Sequence, residues 1–392
     1  MQKIIFTEEF CQPENLHPFT LTRQIQDIRV GILTIREKWE TLLGLPSYDK
    51  WEDDYKDLDR SIRIDKDMGD NVYLMIHGNI LPSPKLLKTI KQLKNGEFIT
   101  ANDNTGIIFR FSKSEVKEAH KIRVTRAVST KEKIHVLRFP WDIFQLNDTA
   151  LRVDFELLTR KRKSKSISKT NKIVKPSQIF IEKGGEVEHS ILNASTGPIY
   201  IGKNAKVMEG CMIRGPFALG EGSVLKMGSR VYGATSVGPF CIVGGEIKNS
   251  ILFGYSNKAH DGYLGDSVIG AWCNLGAGTS NSNIKNNAGE VRIWTPKGER
   301  NAGSKCGVLM GDYSRSSINT SFNTGTVVGA CCNVFGVSLT PAHLPSFSWG
   351  NDGFDRYEFD KALRDIESWK KLKEEMISEN EKTILKYIFE HY

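Results

Sequence analysis

The chain of 392 residues lacks several features that would define a class of protein at once. No apolar run reaches the roughly 18 residues that a membrane span needs, so no membrane-spanning helix is predicted. There is no CxxC pair among the seven cysteines, and their number is odd, so neither a disulfide framework nor a zinc site is indicated. The first glycine is Gly31, which excludes a glycine-rich phosphate-binding loop at the start of the chain.

The amino-acid composition further limits the class of protein to which the chain can belong. Hydrophobic residues make up 39% and charged residues 26% of the chain, as in folded soluble proteins, and the length predicts two or three domains. The N-terminus, MQKIIFTEEFCQPEN, does not resemble a signal peptide, so a cytoplasmic protein is expected. Residues 160–175 are rich in Lys and Arg and contain no acid. Because no aromatic residues are interleaved there, a solvated linker is favoured over a nucleic-acid-binding arm.

The strongest signal is an aliphatic residue at every sixth position. Eight such residues follow one another without a gap: Ile201, Val207, Ile213, Leu219, Leu225, Val231, Val237 and Val243. A period of six fits neither a helix nor a simple strand alternation. It fits a coil of three hexapeptides, each with an inward aliphatic residue and a corner of glycine or small residues. Because one coil cannot bury its own apolar face, the repeat predicts stacked coils in a left-handed parallel β-helix.

The series extends in both directions with interruptions. Ile181 and Val187 precede it, and two further sets follow: Tyr263, Ile269 and Leu275, then Met310, Ser316, Phe322, Val328 and Val334. The interruptions fall near residues 249–262 and 281–309. They predict loops ejected from the coil, where functional residues are usually carried.

Polar residues gather around the first interruption. His260 is the one histidine between His189 and His343, and its polar neighbours along the chain are Glu246, Lys248, Lys258, Tyr263, Asn274 and Asn283. A lone histidine is more often structural than catalytic, but these neighbours suit amide formation, in which a base near neutral pKa takes a proton from an attacking amine. Glu246 would fix the imidazole tautomer, and Lys248 would hold a phosphate. Tyr263 and Asn274 would bind sugar hydroxyls, and the corner 276–278 would let a thioester approach the backbone.

Five motifs make this region resemble a known family. They are EIKNS (246–250), SNKAH (256–260), YLGDSVIG (263–270), NLGAGT (274–279) and SN (282–283). They are similar to the C-terminal domain of the bifunctional N-acetylglucosamine-1-phosphate uridylyltransferase/glucosamine-1-phosphate acetyltransferase family, in a compact alternate form.

That resemblance implies a role for each matching residue. His260 would be the general base, supported by Glu246, and Asn283 would assist at the reacting amine. The amino-sugar phosphate would bind Lys248, Tyr263 and Asn274, and the acetyl-CoA path would run along Gly276, Ala277 and Gly278. The resemblance also implies a homotrimer with active sites between subunits. The family's Arg-Pro-Gly corner is absent, and Arg230 is the nearest basic substitute. Residues 284–307 are an insertion in place of a short loop.

The first 150 residues alternate strand-like runs (KIIF, NVYLMI, EFIT) with helix-like ones (ILTIREKWETLL, KLLKTIKQL), which predicts a small α/β domain. Residues 16–40 and 71–90 resemble the start and the metal-binding strand of sugar nucleotidyltransferases. Arg23 and Arg29 are left as candidate nucleotide-binding residues, with plain surface arginines as the alternative. Asn79 stands where that family has a metal-binding Asp, so no metal site is predicted, and Mg²⁺ is expected only if this domain is active.

The tail, residues 353–392, has helical spacing at Leu363, Ile366, Trp369 and Leu372. A helix that covers the last coil or a trimer interface is favoured over one that covers the acyl-CoA site. The predicted order is therefore a truncated nucleotidyltransferase-like α/β domain (1–155), a basic linker (156–176), an all-β left-handed β-helix acyltransferase domain (177–345) and a C-terminal helical cap (346–392).

These patterns favour an acetyl-CoA-dependent N-acetyltransferase that acts on glucosamine 1-phosphate or a related amino-sugar phosphate in cell-envelope precursor synthesis. UDP-N-acetylglucosamine formation would be a second activity of an active N-terminal domain. One alternative is a sugar-1-phosphate nucleotidyltransferase whose β-helix only oligomerises, and another is a non-catalytic scaffold. The expected partners are small molecules and copies of the same chain, with no nucleic acid and no membrane.

Overall fold

The computed structural model describes residues 2–47, 71–101, 106–116, 122–130 and 132–392. By internal contacts the chain divides into two units. The first contains Met1–Pro13, Arg23–Ile28 and Leu33–Arg138, and the second contains Glu14–Thr22, Arg29–Ile32 and Phe139–Tyr392. Two short segments near the N-terminus are therefore grouped with the long C-terminal part of the chain.

The first unit is α/β, as the alternating runs predict. Its elements are β1 (Gln2–Thr7), α1 (Ile35–Leu43), β2 (Val72–His77), β3 (Ile80–Leu81), α2 (Leu86–Gln92), β4 (Glu97–Thr100), β5 (Gly106–Ser112), β6 (Arg126–Ser129) and β7 (His135–Val136). A mixed sheet has the order β1-β2-β5-β4-β6, and β3 pairs with β7. Strands β1 and β2 are parallel, with Thr7 opposite His77. Their carboxyl ends therefore meet at one edge of the sheet.

Helix α1 begins and ends where its local sequence dictates. The Thr34 hydroxyl accepts a hydrogen bond from the Glu37 amide at 3.1 Å, and the Glu37 carboxylate accepts one from the Thr34 amide at 2.7 Å. This capping box satisfies two free donors at the start of the helix. Gly44, with φ of 67°, ends it in the left-handed region. The buried Trp39 ring donates to the Ile80 carbonyl at 2.9 Å, which fastens α1 to β3.

The second unit is built on a parallel β-helix, so the fold predicted from the period of six is confirmed. Each turn of the chain passes through three faces. The first face contains β10 (Glu186–Val187), β13 (Lys206–Val207), β16 (Val224–Leu225), β19 (Ile242–Val243), β22 (Asn257–Lys258), β25 (Asn274–Leu275), β30 (Arg315–Ser316) and β33 (Asn333–Val334).

The second face contains β8 (Lys172–Val174), β11 (Ile191–Asn193), β14 (Met212–Arg214), β17 (Arg230–Tyr232), β20 (Glu246–Lys248) and β23 (Tyr263–Gly265). The third face contains β9 (Ile179–Ile181), β12 (Ile199–Ile201), β15 (Phe217–Leu219), β18 (Thr235–Val237), β21 (Ile251–Leu252), β24 (Val268–Ile269), β29 (Leu309–Met310), β32 (Val327–Val328) and β34 (His343–Leu344). A short parallel pair, β26 (Ser280–Asn281) and β31 (Ser321–Phe322), continues the coil after β23.

The interior of the β-helix is the predicted aliphatic core. Each residue of the uninterrupted series from Ile201 to Val243 lies in one buried cluster. Tyr263 was assigned to this series wrongly, because its neighbour Leu264 is the inward residue, 1% exposed. The turn from Val243 to the inward Ile247 is four residues long instead of six, and this shift moves the period. Residues 249–262, which include β21 and β22, therefore remain in the coil and do not form an ejected loop.

The second interruption does leave the coil. Residues 284–307 contain an antiparallel hairpin of β27 (Arg292–Ile293) and β28 (Arg300–Asn301). Val291 and Ile293 are fully buried, and Gly325 leaves room for them, because a Cβ there would lie 2.7 Å from Ile293 and 2.8 Å from Val291. The insertion is thus packed onto the β-helix.

Four helices complete the second unit: α3 (Asp142–Gln145), α4 (Asn147–Thr159), α5 (Phe359–Lys371) and α6 (Glu379–His391). Leu151 and Phe155 of α4 pack against outward side chains of the third face, among them Phe180 and Tyr200. Helices α5 and α6 pack against the corner between the third and first faces. None of the described helices is long and apolar enough to cross a membrane.

The segment Glu14–Thr22 is part of this second core. The Phe19 ring lies 5.4 Å from the ring of Phe253, and the Thr22 hydroxyl donates to Asp312 at 2.7 Å. Leu21 joins the cluster beneath α5 and α6. This segment, which resembles part of a nucleotidyltransferase motif in sequence, therefore packs against the β-helix.

Candidate active site

The second face carries two columns of outward side chains. Arg230 of β17 lies opposite Glu246 of β20, which lies opposite Tyr263 of β23. The same register puts Lys248 in the second column, beside Tyr232. Because successive residues of a strand point to opposite sides, the residues between them, such as Ile247, are buried in the core. Four of the predicted site residues thus share one surface.

Glu246 makes its contacts within this surface. Its carboxylate accepts a hydrogen bond from the Tyr232 hydroxyl at 2.7 Å and lies 3.6 Å from the Arg230 guanidinium. The hydrogen bond to Glu246, followed by burial, raises the pKa of Tyr232. Glu246 is therefore held by Tyr232 and Arg230 within a single chain.

His260 lies at the corner between the first and second faces, just before β23. The residue is exposed. Among the residues that the structure describes, none forms a hydrogen bond with its ring. The predicted contact between His260 and Glu246 is thus not made within one chain, and the imidazole is open to solvent or to another molecule.

Asp266 connects the remaining predicted residues. It follows β23, is 4% exposed, and its carboxylate accepts hydrogen bonds from the Asn249 amide at 2.7 Å and from the Asn283 amide. The Lys248 ammonium lies 3.7 Å away. A buried carboxylate needs such partners, so Asp266 orients Lys248 and Asn283. Its role was not predicted from the motif 263–270, although the position of an Asp directly after a strand with alternating inward and outward residues was a signal in the sequence.

Asn283 and Tyr263 also meet. The Asn283 amide donates to the Tyr263 hydroxyl at 3.1 Å. Burial, with a smaller effect of the Asp266 charge, raises the pKa of Tyr263 to about 12. The phenol therefore stays protonated at neutral pH and can donate a hydrogen bond to a ligand.

A cavity of about 820 Å³ adjoins this cluster on the second face. Arg230, Tyr232 and Glu246 line the end nearest the cluster, and Met212 and Arg214 line the floor further along. Such a volume is within the range of small-molecule sites. The cluster is therefore continuous with space that a ligand can occupy.

Asn274 and the corner 276–278 lie elsewhere. Asn274 is on the first face, opposite Asn257 and Arg315, and the structure does not bring it into the second-face cluster of the same chain. The corner 276–278 stacks directly on the next coil, since a Cβ on Gly276 would lie 2.4 Å from the Ser317 backbone. The close stacking of the coils therefore requires a glycine at position 276, whether or not acetyl-CoA approaches this corner.

The two predicted nucleotide-binding arginines belong to different units. Arg23 is in the first unit and Arg29 in the second. The Arg29 guanidinium donates to the Ile32 carbonyl. The contact gives Arg29 a role in its own loop.

The carboxyl end of β2 does not fit a magnesium ion. The Asn79 side chain accepts from the Cys11 thiol at 3.3 Å and donates to the Leu137 carbonyl at 3.1 Å. Next to it, burial lowers the pKa of His77 to about 4. Magnesium prefers carboxylate and water oxygens, and across the described ranges no group of three His, Cys, Asp or Glu side chains could hold a metal.

The N-terminal part of the chain and the β-helix together are consistent with a sugar-nucleotide transferase. Residues 4–163 match the model of a family described as sugar nucleotidyl transferase, and a hexapeptide β-helix with a polar cluster follows.

Several curated proteins that the chain resembles are bifunctional. Bifunctional protein GlmU of Methanocaldococcus jannaschii is 26% identical over 301 residues, 68% of this chain and 71% of that protein. The bifunctional sugar-1-phosphate nucleotidylyltransferase/acetyltransferase of Sulfurisphaera tokodaii is 25% identical over 252 residues, 59% of this chain and 55% of that protein. A GlmU of Bartonella quintana is 27% identical over 165 residues, 38% of this chain and 35% of that protein.

The chain is thus similar to GlmU-like sugar-phosphate nucleotidyl- and acetyltransferases. A solved Arabidopsis UDP-N-acetylglucosamine acyltransferase aligns with 51% of this chain and 76% of its own, at 14% identity and a TM-score of 0.22.

Proposed function

We propose that this protein is an acetyl-CoA-dependent N-acetyltransferase that acts on glucosamine 1-phosphate or a related amino-sugar phosphate. The observation that carries this proposal is the joined set of Glu246, Lys248, Tyr263, Asp266 and Asn283 next to an open cavity. The names of the relatives, which include an acetyltransferase, support it.

The chemistry follows from the residue types. Lys248 and Arg230 bind the phosphate as cations, while Tyr263 and Asn283 hydrogen-bond the amino sugar. The amine attacks the thioester carbon, the C–N bond forms and the C–S bond breaks. His260 takes the proton from the amine and returns it to the departing thiol of coenzyme A. The Gly276 and Gly278 amides donate within the coil, so the Ala277 amide of this corner stabilises the oxyanion.

We further propose that the active unit is a homotrimer. His260 is exposed, and among the described residues none forms a hydrogen bond with its ring, so a neighbouring subunit would complete the site. Exposed apolar side chains near this side of the β-helix, such as Met212 at 46% and Met227 at 60%, are suited to burial in such an assembly.

A thiol-release assay with acetyl-CoA and glucosamine 1-phosphate tests the function. We expect turnover in the wild type and a loss of about a hundredfold or more in His260→Asn, in line with the loss of a general base. His189→Asn is the matched control, because His189 is exposed at the same corner of an earlier coil. Turnover that survives in His260→Asn would refute the base, and a wild type inactive on all amino-sugar phosphates would refute the function.

Nucleotidyl transfer by the first unit is the second candidate, favoured by the match over residues 4–163. The carboxyl end of β2 argues against a magnesium-dependent form, because Asn79 is already engaged. With UTP, a sugar 1-phosphate and Mg²⁺, we expect no release of pyrophosphate. Release that disappears on chelation of Mg²⁺ would contradict this expectation and restore the second activity.

A further inference from the structure

A lysine side chain lies inside the β-helix. On the first face, the inward positions of neighbouring coils hold aliphatic residues such as Leu225, Val243 and Leu275. Lys258 occupies the same position in β22, opposite Val243, and is 2% exposed. Among the inward positions of the first face from Val207 to Leu275, Lys258 is the one that is not aliphatic.

The Lys258 ammonium holds two backbone carbonyls. It donates to the Gly244 carbonyl at 3.1 Å and to the His260 carbonyl at 2.8 Å. These carbonyls belong to successive coils at the corner between the first and second faces. The coils are close there, since a Cβ on Gly244 would lie 2.4 Å from the Ala259 carbonyl oxygen. Buried carbonyls must be hydrogen-bonded, and an aliphatic side chain could not serve them.

The lysine is costly as a space filler. Burial of an ammonium is unfavourable unless strong hydrogen bonds offset it, and the adjoining coils fill the same position with aliphatic residues. What distinguishes this coil is that it stacks on the shortened turn after Val243, and its own corner carries His260. The two hydrogen bonds of Lys258 join that corner to the shortened turn after Val243.

We propose that Lys258 is a positioning residue for His260: from inside the coil it fixes the corner from which the imidazole projects, without contact with substrate. This inference rests on the proposed function of His260 as the base. It adds a residue that neither the repeat nor the resemblance assigns.

Few charged groups lie around this ammonium. Asp261 on the same corner favours its protonated form, but burial is the larger effect and lowers the pKa of Lys258 to about 8. The ionisable neighbours are His260 on the same corner, Lys226 beside Gly244 and Glu246 on the next strand. Loss of the Lys258 proton removes the charge that strengthens both hydrogen bonds, so activity should fall on an alkaline limb near that pKa.

Lys258→Met tests the proposal, because Met has a similar length and restores an apolar interior. We expect a folded variant in which kcat falls about tenfold or more, as small misplacements of catalytic groups can cause. KM for the amino-sugar phosphate should stay within about twofold, and the alkaline limb near pH 8 should be lost. Leu225→Met is the control, since it changes an inward position of the same face two strands away and should leave kcat and the pH profile unchanged.

A second measurement needs no activity. Hydrogen exchange at the amides of residues 259–262 should become faster in Lys258→Met than in Leu225→Met, while exchange in the coils before Val243 stays the same. Faster exchange in a protein without acetyltransferase activity would leave the positioning role intact and refute the proposed function. Unchanged exchange, or unchanged kcat in an active enzyme, would overturn the role of Lys258.

Discussion

At the scale of single residues, the candidate site depends on the carboxylate of Asp266, which the spacing of residues along the chain does not single out. Asp266 is buried and joins Lys248, Asn249 and Asn283. We expect Asp266→Asn to lower kcat/KM about tenfold or more, because the charge that holds Lys248 and the acceptor that holds Asn283 both change. Steady-state kinetics with the amino-sugar phosphate measures this, with Asp352→Asn, an exposed position, as the control. A folded Asp266→Asn enzyme with wild-type kinetics would contradict the prediction.

The residues that the sequence could and could not assign differ in a physical way. A period in hydrophobicity reports which side chains point inward, so the core positions from Ile201 to Val243 were predictable. It fails where an interval changes length, and the five-residue interval from Leu264 to Ile269 caused Tyr263 to be assigned inward in place of Leu264. Contacts across coils, such as that of Glu246 with Tyr232, depend on register, which the spacing along the chain does not give.

At the scale of elements, the hairpin of the insertion is held by a stacked pair of rings. Trp294, just after β27, lies 3.5 Å from the ring of His343 in β34. Burial lowers the pKa of His343 from its ordinary value of 6.5 to about 4. Between these two values the unfolded chain holds a proton that the folded chain does not, so the free energy of unfolding falls as the pH drops through this window.

We expect His343→Gln to weaken this acid sensitivity. Urea unfolding at about pH 7 and about pH 4.5 measures it, and the difference between the two pH values should be smaller in the variant than in the wild type. His77, whose pKa burial also lowers to about 4, is present in both proteins, so the difference isolates His343. An equal loss of stability in both would show that the stacked ring titrates normally.

The C-terminal helices depend on one acid at the start of α6. Glu381 completes a capping box with Ser378 and accepts hydrogen bonds from the Lys370 ammonium at 2.6 Å and the Tyr313 hydroxyl at 2.7 Å. Lys370 is 5% exposed. Removal of Glu381 therefore leaves a buried cation and a buried hydroxyl without this partner.

We expect Glu381→Ala to cost about 3 kcal/mol of unfolding free energy, as for other broken buried ion pairs. Chemical unfolding measures it. Glu379→Ala is the control, because the Glu379 side chain is 89% exposed and its loss should change stability by about 0.5 kcal/mol or less. Equal effects of the two substitutions would mean that the interior pair contributes nothing beyond a surface charge.

At the scale of the whole molecule, the sequence predicted the two types of fold better than it predicted which segments of the chain belong to each unit. The α/β region and the β-helix were both evident from local periods. The grouping of Glu14–Thr22 with the second unit was not, because Phe19 and Leu21 find their partners, such as Phe253, more than 200 positions away in the chain. Long-range packing of a few apolar side chains leaves no period to detect.

The last prediction concerns assembly. If the active unit is a homotrimer, light scattering should give about three times the chain mass of 44.1 kDa. If His260 of one subunit acts with Lys248 of its neighbour, His260→Asn and Lys248→Gln, each inactive alone, should regain activity when refolded together.

The expected recovery distinguishes shared from unshared sites. Random mixing of equal amounts leaves about one quarter of shared sites with both wild-type residues, so about a quarter of the activity should return. If both residues of a site come from one chain, no mixture contains an intact site and nothing returns. Lys258→Met mixed with His260→Asn is the internal control, because Lys258 acts on the His260 of its own chain and that pair should not recover in either case.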